Sequence, residues 1–200
     1  MTVRDHPVNK QNYGIIRDFC PVFCFATSAP GLSKPGVIVF MSKKPVNKTK
    51  ALTVSGLVIA MYVTIMYFTQ GFAFGAYQIR VATGLYSLSY LFPFLILPLG
   101  LANSLGNFLG GLGSADIFGG FAAGIVTSGG VYLIRRFRLP MPLIIPVIIL
   151  GPGLIVPIWL SYITEIPYPA LALSLCLGQA PPAVSGYLLV KLLKNWSDKL

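Results

Sequence analysis

Between Gln78 and Asp116 the chain sets one arginine, two asparagines and one aspartate inside a strongly apolar stretch, QIRVATGLYSLSYLFPFLILPLGLANSLGNFLGGLGSAD. In hydrocarbon each such group needs a partner or a function, because nothing in the solvent can satisfy it. Asn103 and Asn107, one helical turn apart, share a face with Gly100, where a flat ligand could approach the backbone closely. A side-chain amide offers a donor and an acceptor side by side, which suits the edge of a purine-like base. The competing use is hydrogen bonding between membrane helices. Gln78 and Arg80 open an apolar segment; Arg80 departs from the charge pattern of the other basic residues and reads as buried or ligand-facing. Asp116, in GSADIFGG, reads first as a helix N-cap, since a carboxylate suits the first turn. Gln179, in LCLGQAPP, must find partners within an apolar span. Tyr77, Tyr86, Tyr90 and Phe74 could stack on a heteroaromatic ligand or serve as ordinary interfacial aromatics, and Glu165 reads as a solvated turn residue.

Covalent chemistry has little to work with. There is no H-E-x-x-H, no phosphate-binding G-x-x-x-x-G-K-[ST], no G-x-S-x-G, and no histidine after His6. Cys20, Cys24 and Cys176 form neither a disulfide framework nor a metal-binding spacing. No catalytic residue, metal or cofactor is expected, and without a phosphate loop the chain cannot itself hydrolyse ATP. Binding or permeation of a small molecule is the expected activity, not enzymatic conversion.

The elements that must hold these residues are membrane spans. The chain has 200 residues, is 55% hydrophobic and 10% charged, and carries a net charge of +10; its mean hydropathy is +0.76. Between Ala51 and Val190 the formal charges are Arg80, Asp116, Glu165 and the cluster Arg135, Arg136 and Arg138. The basic residues flank apolar segments and form no stripe interleaved with aromatics, which favours a positive-inside membrane topology over nucleic-acid binding. Spans are expected at 51–69, 80–92, 94–110, 117–134, 139–163 and 168–193. Cutting the run 80–111 in two keeps all the basic clusters on the cytoplasmic side, and gives six helices with both termini cytoplasmic. The second span is short, so it should be tilted, shielded by protein or only partly helical. Pro142, Pro146, Pro152 and Pro157 interrupt the fifth span and Pro181 and Pro182 the sixth, either as neighbour-filled kinks or around a ligand cavity. Residues 1–40 are polar or broken by proline and read as a disordered extension, or as a start codon assigned upstream of Met41; residues 41–200 form the membrane domain.

The pattern FGAYQIRVATGLYSLSYLFPFLILPLGLANSLGNFLGGLGSADIFGGFAAGIVT resembles the QueT family, substrate-binding S components of energy-coupling factor (ECF) transporters. The resemblance implies a multi-pass protein of the cell membrane that binds a queuosine precursor, a 7-deazaguanine. It also implies partners, namely a transmembrane coupling subunit and two cytoplasmic ATPases. Gln78, Arg80, Asn103 and Asp116 match the family motif, and Gly56 and Ala60 fall where a small-residue face of the first helix docks the coupling subunit. Two acids of the family pattern are neutral here, in Arg80-Val81-Ala82-Thr83 and in Gly178-Gln179. If either acid normally meets the ligand, preference should shift from an aminomethyl toward a nitrile deazaguanine. Another vitamin-like solute, or a purely structural membrane subunit, are the competing functions.

Overall fold

The computed structural model describes residues 48–73 and 78–197; the extension expected over residues 1–40 lies outside them. The described elements are α1 (Lys48–Phe68), α2 (Gln70–Ala73), a 3₁₀ helix (Val81–Tyr90), α3 (Ile96–Gly110), α4 (Ser114–Arg136), α5 (Ile144–Ile155), α6 (Pro157–Thr164) and α7 (Tyr168–Ser197). Short 3₁₀ turns at Pro93–Leu95 and Met141–Leu143 lead into α3 and α5. Each begins at or beside a proline, whose fixed φ and missing N–H suit a helix start.

Five stretches are long and apolar enough to cross a bilayer: Lys48–Phe68, Pro93–Gly110, Ser114–Arg136, Met141–Thr164 and Tyr168–Asn195. Large apolar side chains such as Leu52, Phe68, Phe118 and Leu173 point away from the bundle, the arrangement that lipid as solvent allows. The protein is therefore a multi-pass membrane protein, all-helical over its described residues. α1 buries Val58, Tyr62 and Met66, spaced four apart, in the bundle and packs Ile59 and Ile65 beside them. Gly56, Ala60 and Thr64 lie on its exposed side.

The segment expected as a short second span differs most from an ordinary helix. Val81–Tyr90 is 3₁₀ throughout, and Ala82 to Ser89 are all buried. At about 2.0 Å per residue a 3₁₀ helix is longer than an α-helix of the same number of residues. Hydroxyls reinforce it at the same three-residue step, Thr83 donating to the Arg80 carbonyl and Ser87 to Gly84, while the Ser89 hydroxyl lies 2.7 Å from both the Tyr86 carbonyl and the Ser128 carbonyl of α4. Glycines admit it to the bundle. A Cβ on Gly84 would lie 2.9 Å from the Pro182 carbonyl, and one on Gly186 would lie 2.5 Å from the Gly84 carbonyl, so α7 and the 3₁₀ helix meet backbone to backbone.

Arg135 closes the far end of this helix. One guanidinium nitrogen, Nη1, donates to the carbonyls of Tyr90 and Leu91, each at 2.9 Å. Helix-terminal carbonyls that the ladder leaves free must be met by something else. Arg135→Met should therefore cost about 1.5–3 kcal/mol, the range for hydrogen bonds to a charged group. Arg136→Met, at an exposed position, should cost nothing measurable. Thermal unfolding in detergent compares the two, and equal midpoints would remove the capping role.

The prolines fall inside helices or at their starts. Pro152 lies within α5 and Pro157 starts α6, while α7 runs unbroken through Pro181 and Pro182. Neighbours fill the gaps beside span five: Thr127 packs where Gly151 lacks a side chain, and Cys176 does the same at Gly153. At these two glycines of span five the neighbour-filled alternative describes the structure.

Candidate functional site

Two formal charges are buried among the described residues, Arg80 at 2% exposure and Asp116 at 0%. Arg80 immediately precedes the 3₁₀ helix and Asp116 lies in the first turn of α4. Asn107 of α3 connects them. Arg80 Nη1 donates to Asn107 Oδ1 at 2.7 Å, and Asn107 Nδ2 donates to the Asp116 carbonyl at 2.8 Å. One turn earlier, Asn103 accepts from the Tyr62 hydroxyl at 2.9 Å and donates to the Gly120 carbonyl at 2.6 Å. The two asparagines thus tie α3 to α1, to α4 and to Arg80. Each presents its oxygen to one neighbour and its nitrogen to another, as interhelical amides do where no water competes.

The Asp116 carboxylate accepts from Trp159 Nε1 at 3.0 Å, and its second oxygen, Oδ2, is buried without a hydrogen-bond partner among the described residues. The expected N-cap role is corrected here. Gly113 occupies the N-cap with no side-chain cap bond, and Asp116 lies three residues further on, turned toward the indole of α6. Gly100 is also corrected: it faces α4, where a Cβ on Gly124 would come 2.9 Å from the Gly100 Cα. Its missing side chain serves helix approach.

Gln78 is 8% exposed with its Oε1 unpartnered among the described residues, and its φ of 42° places a non-glycine residue in the left-handed region. Such strain concentrates at functional sites. Gln179 is fully buried on α7 beside Thr83, whose hydroxyl oxygen lies 2.5 Å from Gln179 Oε1. Tyr86, expected to stack on a ligand, stacks on Tyr62 with centroids 5.9 Å apart and hydroxyls 3.2 Å apart. Tyr77 and Phe74 lie outside the described residues, and Glu165 is exposed as expected.

The structure brings Arg80, Asn107 and Asp116 into one hydrogen-bonded chain, with Asn103 one turn along α3. It places Gln179 against Thr83, which bonds back to the Arg80 carbonyl at 2.7 Å. Thr83, noted in the sequence as a neutral residue where the family pattern has an acid, is a member beside Gln179, while Trp159 and Tyr62 are members that the sequence did not single out. An indole N–H in an apolar span needs an acceptor, and that was the available signal for Trp159. A separate cavity of about 240 Å³ is lined by Ile65, Val81, Gly84, Leu85, Ser185, Gly186 and Leu189. It offers one polar side chain, so the buried polar cluster is the candidate site.

A multi-pass helical bundle that shields a few connected polar and charged side chains from lipid has the construction of a membrane transport protein. The chain belongs to the QueT transporter family, whose model matches residues 52–195. No curated protein and no solved structure matches it.

Proposed function

We propose that this chain is the substrate-binding S component of an ECF-type importer, and that it captures a queuosine precursor of the 7-deazaguanine class. Membership of the QueT transporter family supports this reading. The observation that carries it is the buried cluster in which Asn107 links Arg80 to Asp116 and Thr83 links the Arg80 carbonyl to Gln179, with Gln78 buried two residues before Arg80 and polar atoms of Asp116, Gln78 and Gln179 left unsatisfied among the described residues. Unsatisfied buried groups are costly, and a ligand that supplies the missing partners recovers that cost. In this reading Gln78, Arg80, Asp116 and Gln179 contact the solute, Asn103 and Asn107 hold the cluster in place, and Tyr77, next to Gln78 in sequence, is a further contact. The 3₁₀ segment counts as a sixth, protein-shielded pass, with both termini cytoplasmic. Transport is driven by ATPases on a separate coupling module.

Thermal unfolding of the detergent-purified protein tests the ligand. A deazaguanine at about 100 times its dissociation constant adds roughly 2.7 kcal/mol of stability. Stabilisation by 7-cyano- or 7-aminomethyl-7-deazaguanine, and none by riboflavin or thiamine, supports the reading. Stabilisation by another vitamin alone keeps the transporter and replaces the substrate; no shift with any solute favours a structural subunit.

The exposed Gly56 and Ala60 of α1 form the face that we assign to the coupling subunit. A Cβ on Gly56 meets nothing within 4 Å, so Gly56→Leu should fold normally and bind ligand with unchanged affinity. It should nevertheless fail to co-purify with the coupling module, because close helix approach needs small residues. Normal assembly of this variant would assign docking to another face.

A further inference from the structure

The Thr83 hydroxyl lies 2.7 Å from the Arg80 carbonyl and 2.5 Å from Gln179 Oε1. A hydroxyl has one proton, so it can donate to only one of these acceptors. On the other side of the same carboxamide, Gln179 Nε2 is buried with no hydrogen-bond partner among the described residues. Carboxamide nitrogen and oxygen have nearly the same shape, and the surrounding donors and acceptors decide which is which. A half turn of the Gln179 amide removes the competition for the Thr83 proton and leaves the carbonyl, instead of the nitrogen, as the unpartnered group. Nε2 then donates to Thr83 Oγ1, Thr83 donates to the Arg80 carbonyl, and Oε1 takes the unpartnered position.

We infer that Thr83 fixes Gln179 with its carbonyl as the free group, so that Gln179 selects ligands carrying an N–H donor at that position. The identity of the ligand rests on the function proposed above; the orientation of the amide does not. Thr83 is a positioning residue. Its proton goes to the carbonyl that precedes the 3₁₀ helix, so the selection is tied to the backbone that carries Arg80. Asp116 Oδ2, at 0% exposure and likewise without a partner, is a second buried acceptor in the cluster. Together they suit a solute with amino or ring N–H groups at these two positions, and they disfavour one that presents only lone pairs there.

The amide can be read directly by NMR of the full chain in detergent with ¹⁵N-labelled glutamine side chains, since the sequence has only Gln11, Gln70, Gln78 and Gln179. Without ligand, the Gln179 signal, recognised by its loss in Gln179→Glu, should show one downfield proton that exchanges slowly. Thr83→Ser should keep that protection. Thr83→Val should abolish it, with Thr83→Ala as the smaller replacement if the valine variant does not fold. A Gln179 proton unprotected in the parent, or unchanged by loss of the hydroxyl, overturns the inference. Calorimetry with 7-aminomethyl-7-deazaguanine supplies a second arm. Gln179→Glu, which keeps an oxygen toward the ligand and restores the acid of the family pattern, should bind this aminomethyl ligand at least as tightly as the parent, whereas Gln179→Met should weaken binding about tenfold to a hundredfold. Equal losses in both variants count against a ligand-facing carbonyl. A parent that binds no deazaguanine removes the ligand proposed above, and the ligand-free spectrum still decides the amide orientation.

Discussion

Arg80→Met should abolish the proposed solute binding and lower unfolding stability by about 1.5–3 kcal/mol, since the buried Asn107 oxygen loses its charged donor and the buried Asp116 side chain loses a nearby opposite charge. The guanidinium is 2% exposed and Asp116 is 0% exposed, and Asn107 bonds to both residues. Methionine fills much of the volume, so the loss is electrostatic and not a cavity. A second substitution separates the two effects. Asp116→Asn in the Arg80→Met background should recover part of the stability, because it removes the uncompensated carboxylate, while binding stays lost. Thermal unfolding and ligand titration of the four proteins in this cycle give the coupling. Additive stability losses would falsify electrostatic compensation between the two groups.

The second large effect is expected at Gly120. A Cβ there would run into the Asn107 amide, and it would lie 3.4 Å from Asn103 Nδ2. Gly120→Leu therefore forces α4 away from α3, breaks the Asn103 bond to the Gly120 carbonyl and dislodges Asn107 from Arg80. Overpacking alone costs about 1–3 kcal/mol, and each buried polar group left unmatched adds about 1–3 kcal/mol, enough to unfold a marginal membrane domain. Gly129→Ala is the matched control on the same helix. Nothing lies within 4 Å of its added Cβ, so it should be neutral or stabilise by up to about 1 kcal/mol through helix propensity. Similar midpoints for the two variants would show that the α3–α4 contact is not tight at Gly120.

Span positions were legible because the signal is local and large. A run of apolar residues bounded by basic clusters needs no tertiary information, and the stretches around residues 51–69, 117–134, 139–163 and 168–193 correspond to α1, α4, α5–α6 and α7. Burial of Arg80 and Gln179 was legible for the same reason, since a polar group in an apolar span has nowhere to go but inward. The 3₁₀ form of residues 81–90 was not legible. VATGLYSLSY carries no strong mark against an α-helix, whereas the contact that accompanies the three-residue repeat is tertiary: Gly186 of α7 meets the backbone of Gly84.

Roles within the cluster depended on pairing across long sequence distances. Asp116 looked like a cap because a carboxylate near a helix start usually is one. Its actual partner, Trp159, lies 43 residues away, and only the packing of α6 on α4 brings the indole within reach. Tyr86 looked free to stack on a ligand, yet Tyr62 of α1 occupies its face. By itself the sequence determined that this is a multi-pass membrane protein, where most of its spans lie and which polar side chains must be buried, because hydrocarbon penalises each residue one at a time. The tertiary structure alone decided which buried groups satisfy one another and which remain open, because a hydrogen bond depends on where two distant residues meet.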